Sequence, residues 1–283
     1  MPVKHLTMQM IQRPCPQADW HLGPTDIHVW TTSLDMASTA LSTLEGILSS
    51  SELERARRFR FDQHRNRFIA GRGLMRTLLS RYLETKPAKL EFVYNPYGKP
   101  FLSGAFAESR LNFNLAHSEN LAIFAVTRAG TIGVDVERIR PLTDADQLAV
   151  SSFSARESAA FHNLPLEQKP VAFFNLWTRK EAWLKATGEG IGHLLNVIEV
   201  SFLPGEPARF LSLPGDPQTT ASWILHDLKP APGFVAALAI PAQATPLRCC
   251  CWDEAATKKT LQQCITVMPR KIRGKPQQKN GWN

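Results

Sequence analysis

Two short runs constrain this chain more than anything else in it. The first is Thr131-Ile132-Gly133-Val134-Asp135-Val136-Glu137; the second, about forty residues later, is Trp177-Thr178-Arg179-Lys180-Glu181-Ala182-Trp183-Leu184-Lys185. In the first, Ile132, Val134 and Val136 alternate with Gly133, Asp135 and Glu137, the period of two expected of a half-buried strand. That reading packs the apolar positions inward and turns Asp135 and Glu137 outward on the opposite face. In the second run Glu181 and Lys185 are four residues apart, so on a helix they stand one turn from each other. Two acids on a strand, with an acid and a base on a helix, suit a divalent cation carrying a phosphate. Taken singly, the commoner interpretation is a solvated strand edge and a surface ion pair, because such pairs are frequent and weak.

The ligand types favour one cation. Carboxylate oxygens without nearby His or Cys suit magnesium, which keeps several waters and is usually held by one or two carboxylates plus substrate phosphates. A calcium loop of the EF-hand kind needs a denser acidic run than any in this sequence.

Charge is unevenly distributed. Residues 258–283 hold Lys258, Lys259, Arg270, Lys271, Arg273, Lys275 and Lys279 and no acid, and removing those seven from the net charge of +8 leaves about +1 for the body. With its Gln, Pro, Gly and Asn content this tail reads as a disordered, solvated extension. A second concentration lies between Arg55 and Arg81, where nine arginines face the single acid Asp62. Ser51-x-x-Glu54 has the form of a capping box, Asp62 could cap the next helix, and Phe68, Met75, Leu78, Leu79 and Tyr82 form an apolar stripe. Arg67, Arg72 and Arg76 lie off that stripe and read as solvating the helix. A nucleic-acid-binding protein would account for the arginine helix and the tail, but not for converging carboxylates. The five cysteines are odd in number, and Cys249-Cys250-Cys251 lacks metal-ligand or disulfide-framework spacing, which points to a reducing cytoplasm. No apolar stretch approaches the roughly 20 residues of a membrane span, and the N-terminus has no signal-peptide core.

The remainder reads as mixed α and β. Strands are expected at 90–94, 111–115, 121–127, 197–202, 221–228 and 234–240, with a turn at 96–98. Ser154-x-x-Glu157 opens a helix as a capping box, and a second helix runs over 168–187 to a natural stop at Gly188. Arg128-Ala129-Gly130 makes a short connection that divides the chain into 1–129, 130–252 and the basic tail 253–283.

Two further motifs lie upstream, Tyr97-Gly98-Lys99-Pro100 and Phe113-Asn114-Leu115-Ala116-His117-Ser118. Together with the (I/V)-G-(I/V)-D-(I/V)-E and W-x-x-K-E-A-x-x-K runs, these four motifs in order resemble the signature of the 4′-phosphopantetheinyl transferases of the surfactin-activating type. The resemblance implies an α+β monomer of two similar α/β subdomains in a pseudo-two-fold pair, with coenzyme A in the cleft between them. It implies transfer of 4′-phosphopantetheine from coenzyme A to a serine of an apo carrier protein, acyl, polyketide or peptidyl, releasing 3′,5′-adenosine diphosphate. Magnesium would sit on Asp135, Glu137 and Glu181. Glu181 is then the candidate general base, directly or through a metal-bound water, and Lys185 the phosphate partner. Lys99 and His117, with Arg67 and Arg72, form the candidate cluster for the adenosine phosphates. Trp177 and Trp183 read as core. Ala116 stands where the family usually has serine, which removes one hydrogen bond, a change on the order of 1 kcal/mol. Glu157 matches a family acid, yet its capping box is explanation enough. A non-catalytic homologue that only binds carrier proteins is the remaining alternative, opposed by the presence of all three carboxylates and Lys185.

Overall fold

Strand Leu121–Thr127 is buried at nearly every position, and Gly133–Arg138 through its first four, so neither has an open face. The reason is a stack in which two sheets face each other and each carries helices on its outer side. The computed structural model describes residues 20–142, 145–190, 194–244 and 247–251.

The first sheet is built from β1 (Ile27–Ser33), β4 (Asn112–Ser118) and β5 (Leu121–Thr127) with β11 (Leu247–Cys251), in the order β11-β1-β5-β4. β1 and β4 run antiparallel to β5, with Ile27 opposite Thr127 and His117 opposite Ala122. β11 lies parallel to β1, Ile27 opposite Leu247. A segment counted with the second half of the sequence therefore completes the sheet of the first, which no local pattern could announce. Outside this sheet lie α1 (Ser38–Glu45), α2 (Ser50–Arg57) and α3 (Asp62–Tyr82), whose Leu44, Leu74, Met75 and Leu78 pack with Trp30, Phe113, Phe124 and Val126. A small hairpin, β2 (Phe92–Tyr94) and β3 (Pro100–Leu102), stands beside them.

The second sheet has the order β6-β10-β9, from β6 (Gly133–Arg138), β10 (Phe234–Pro241) and β9 (Trp223–Leu228), all antiparallel. Its outer face meets α4 (Ala145–Ser152), α5 (Ala155–His162) and α6 (Lys169–Thr187) through Phe161, Phe173, Leu176, Ala237 and Ala239. Its inner face, with Ile132, Val134, Val136, Leu238 and Ile240, meets Val29, Ala116, Ile123 and Ala125 of the first sheet. The described residues also include the pair β7 (Glu199–Val200) and β8 (Phe210–Ser212) and the short α7 (Pro217–Ala221).

Several local expectations need correction. The capping box of α2 is Ser49 with Glu52, not Ser51 with Glu54: Ser49 Oγ accepts from the Glu52 amide, and the Glu52 carboxylate accepts from the Ser49 amide. Asp62 lies in the first turn of α3 and Phe61 is its N-cap, without a side-chain hydrogen bond. Arg72 and Arg76 are buried, because the Glu52 carboxylate lies between them as an ion partner. The strand expected at 197–202 contracts to Glu199–Val200, and the one at 221–228 loses its start to α7, which Asp216 caps by accepting from the Gln218 amide. The capping box of Ser154 with Glu157 and the stop of α6 at Gly188 (φ +80°) match the sequence reading. The basic tail lies outside the described residues.

Candidate active site

The site begins with a close approach. A Cβ built on Gly133 would stand 2.0 Å from the Ala182 carbonyl oxygen and 2.3 Å from the Ala186 amide, so β6 touches the backbone of α6 at a point only glycine allows. Asp135, on the same face of the strand, therefore looks at the helix and not at solvent, and only 5% of it is exposed. This corrects the expectation of an outward face: α6 covers that side.

Lys185 donates from Nζ to Asp135 Oδ1 at 2.5 Å. The lysine thus reaches across to the strand instead of pairing with Glu181 one turn earlier. Glu181 is 4% exposed. Two carboxylate oxygens here, Asp135 Oδ2 and Glu181 Oε1, have no hydrogen-bond partner among the described residues. Buried acceptors are rarely left so, because each retains its desolvation penalty uncompensated. Burial pushes the Glu181 carboxyl up to about 7; Asp135 and Glu137 add to the shift and Lys185 opposes it. Burial pulls the Lys185 ammonium down, but Asp135, Glu181 and Glu137 outweigh it and hold the group above its ordinary value.

Glu137 sits at the rim, accepting from Ser118 Oγ at 2.7 Å, with Arg140 3.7 Å away. Among the described residues no three His, Cys, Asp or Glu side chains are gathered into a metal-binding cluster. The donor set nonetheless fits magnesium better than a cation that demands an all-protein cage, since two hard carboxylates with free oxygens leave room for phosphates and water.

The Phe113–Ser118 motif works largely as a clamp. Among the described strands β6 pairs with β10 on one side only, and side chains of β4 satisfy its other edge: Asn114 Oδ1 accepts from the Val134 amide at 2.9 Å, and Ser118 Oγ from the Arg138 amide at 3.1 Å. His117, between them, points the other way and is exposed. Partial desolvation lowers its pKa, as do Lys185 and Arg67, while Glu137 raises it, so His117 stands within the field of the acid-base cluster. Arg67 makes a two-point contact with Asp35, Nε to Oδ1 at 2.8 Å and Nη2 to Oδ2 at 3.1 Å.

The structure commits the other two expected phosphate ligands elsewhere. Arg72 donates from Nε to Glu52 Oε1 at 2.8 Å and from Nη2 to the Tyr94 hydroxyl. Lys99 donates from Nζ to the carbonyls of Lys185 at 2.6 Å, Ala186 at 2.9 Å and Ile132 at 3.3 Å. Sequence reasoning also passed over a cavity of about 700 Å³ whose lining includes Arg55, Arg58 and Arg72 together with Glu52, Glu54 and Tyr94. Its signal was present as the arginine density of α2, but that density does not say which arginines share a cavity.

Two desolvated carboxylates beside a lysine, held by one strand and one helix, make this the candidate active site. Residues 29–129 match the family model "4′-phosphopantetheinyl transferase, N-terminal", and residues 131–239 match "4′-phosphopantetheinyl transferase superfamily". The 4′-phosphopantetheinyl transferase HetI of Nostoc sp. is 46% identical over 215 residues, covering 76% of this chain and 87% of the relative. A putative 4′-phosphopantetheinyl transferase of Synechocystis sp. is 37% identical over 64% of this chain and 72% of its own length. A 4′-phosphopantetheinyl transferase of Bacillus subtilis is 29% identical over 54% of this chain and 66% of its own length. The chain belongs to the 4′-phosphopantetheinyl transferase family. Within it, the likeness to HetI is greater than to the Bacillus relative, so the narrower surfactin-activating resemblance gives way to a HetI-like one.

Proposed function

We propose that this protein transfers 4′-phosphopantetheine from coenzyme A to a serine of an apo carrier protein and releases 3′,5′-adenosine diphosphate. The observation that carries the reading is the pair of buried, partnerless oxygens, Asp135 Oδ2 and Glu181 Oε1, beside Lys185. A serine hydroxyl is a poor nucleophile and the pyrophosphate it attacks is anionic, so the site must remove a proton and neutralise charge. In the metal-free protein a carboxyl at about 7 is matched to proton transfer near neutral pH, and Glu181 is the candidate base, directly or through a metal-bound water. The serine oxygen forms the new bond to the phosphopantetheine phosphorus as the bond to the nucleotide phosphate breaks, and the electron pair leaves with the nucleotide. Lys185 balances the charge that develops there. Asp135 and Glu181, with Glu137 at the rim, would hold magnesium against the pyrophosphate, where it supplies charge neutralisation.

His117, with Arg67 beside it, serves the phosphates of the nucleotide end, and Arg55 and Arg58 of the neighbouring cavity extend that surface. The two sheet-and-helix halves, divided near Gly130, form the pseudo-two-fold pair of a monomer acting in a reducing cytoplasm. A nucleic-acid role is disfavoured by Arg72 and Arg76, which Glu52 already holds in the interior. The test is mass spectrometry of apo acyl, polyketide and peptidyl carrier proteins incubated with the protein, coenzyme A and magnesium. A phosphopantetheine mass increase on at least one is expected; none on any of the three classes refutes the assignment.

A further inference from the structure

The turn between β2 and β3 belongs to the first half of the chain but is bonded to the second. Asn95 Oδ1 accepts from the amides of Tyr97 at 3.0 Å and Lys99 at 2.9 Å, which shapes the turn, and Asn95 Nδ2 donates to the Gly188 carbonyl at 2.7 Å. A Cβ on Gly190 would lie 2.5 Å from the Tyr97 ring, so the ring rests on bare backbone. The Lys99 ammonium has three protons, and the carbonyls of Ile132, Lys185 and Ala186 account for all of them. Two of these carbonyls belong to the last turn of α6, where a helix has no internal donors and a cation is favoured. The third leads directly into Gly133. One side chain thus ties the entry of the strand that carries Asp135 to the exit of the helix that carries Glu181 and Lys185.

We propose that Lys99 is a positioning residue and not a reader of substrate phosphate: with Asn95 it latches the hairpin onto the end of α6 and fixes where Lys185 stands relative to Asp135. Burial depresses the Lys99 ammonium to about 8, in keeping with a lysine facing backbone carbonyls and no carboxylate. The role in turnover rests on the proposed transferase activity; the latch itself does not.

Lys99→Met keeps the stem and removes the three donors, and Asn95→Ala removes the other arm while leaving the Lys99 side chain and the carboxylates in place. Both variants should lower kcat on the order of 10- to 10²-fold, the scale of a misplaced catalytic group. Affinity for 3′,5′-adenosine diphosphate by calorimetry, and the ratio of kcat/KM on coenzyme A to that on dephospho-coenzyme A, should stay at wild-type values. The double variant should lose less than the product of the single losses, because the two arms serve one joint. A collapse of nucleotide affinity or of the donor ratio in Lys99→Met overturns the proposal, and so does an unchanged kcat. If Lys99→Met does not fold, Asn95→Ala decides alone: reduced kcat with unchanged nucleotide affinity supports the latch, and unchanged kcat sinks it. If the wild type neither transfers nor binds the nucleotide, the functional reading fails. The latch is then judged by thermal unfolding, where non-additive losses in Tm support it and additive ones refute it.

Discussion

Glu181→Gln should inactivate the enzyme and yet stabilise the metal-free protein above neutral pH. The side chain is 4% exposed, and its carboxyl stands near 7 where an unburied glutamic acid stands at 4.5. Because the folded value is the higher one, Glu181 contributes stability that is fully present below pH 4.5 and is lost as the pH rises through about 7. The gap corresponds to roughly 3 kcal/mol at most, and relaxation or water entry brings the expected figure to about 1–3 kcal/mol. Glutamine fills the same volume and does not titrate, so the variant escapes the loss. In a chelator, the stability of Glu181→Gln relative to wild type should therefore improve by that amount between pH 4.5 and pH 8. In thermal terms this is a relative gain of several degrees, at about 2–4 °C per kcal/mol for a protein of this size class. Urea denaturation at a series of pH values, read by fluorescence, measures it directly. Magnesium together with coenzyme A should narrow the difference at pH 8 by favouring the ionised wild-type carboxylate. A stability difference that stays flat across this pH range would refute the reasoning that Glu181 is a desolvated acid with an empty acceptor. Turnover on a carrier protein should fall about 10²-fold or more in the same variant.

Three other outcomes follow from the geometry and the charge distribution. Gly133→Ala places a methyl inside the van der Waals radius of the Ala182 carbonyl, so α6 must move by about 1 Å; stability should drop by about 1–3 kcal/mol and kcat by about 10²-fold, read by calorimetry and steady-state kinetics. His117→Ala should lose about 1–3 kcal/mol in kcat/KM with coenzyme A and almost nothing with dephospho-coenzyme A, whereas Glu181→Gln is impaired equally on both; an unchanged donor ratio in His117→Ala would remove it from the 3′-phosphate. Truncation after Thr257 removes seven positive charges and should raise the KM for an acidic carrier protein at low salt while flattening its salt dependence, and identical salt profiles would make the tail a bystander.

What the sequence determined by itself was local. The alternation around Asp135, the spacing of Glu181 and Lys185, the Ser154–Glu157 capping box and the stop at Gly188 are all set within a few residues by the geometry of one strand or one helix. Those patterns mark the two elements that hold the candidate site residues, and the resemblance built on them led to the family to which the chain belongs. Tertiary structure decided everything that depends on what lies opposite. Lys185 takes Asp135 and not Glu181 because β6 comes within backbone contact of α6 at Gly133. Asp135 is buried because α6 covers the face that alternation alone assigns to solvent. Arg72 and Arg76 are interior residues because Glu52, twenty or more positions earlier on another helix, meets both of them. Asn114 and Ser118 serve a strand in the other sheet, Lys99 closes the end of a helix nearly ninety residues away, and β11 pairs with β1 across most of the chain. The physical reason is the same in each case. Periodicity records which side of an element is apolar, whereas the identity of a partner is settled only when separate elements pack and each buried charge or donor must find its counterpart.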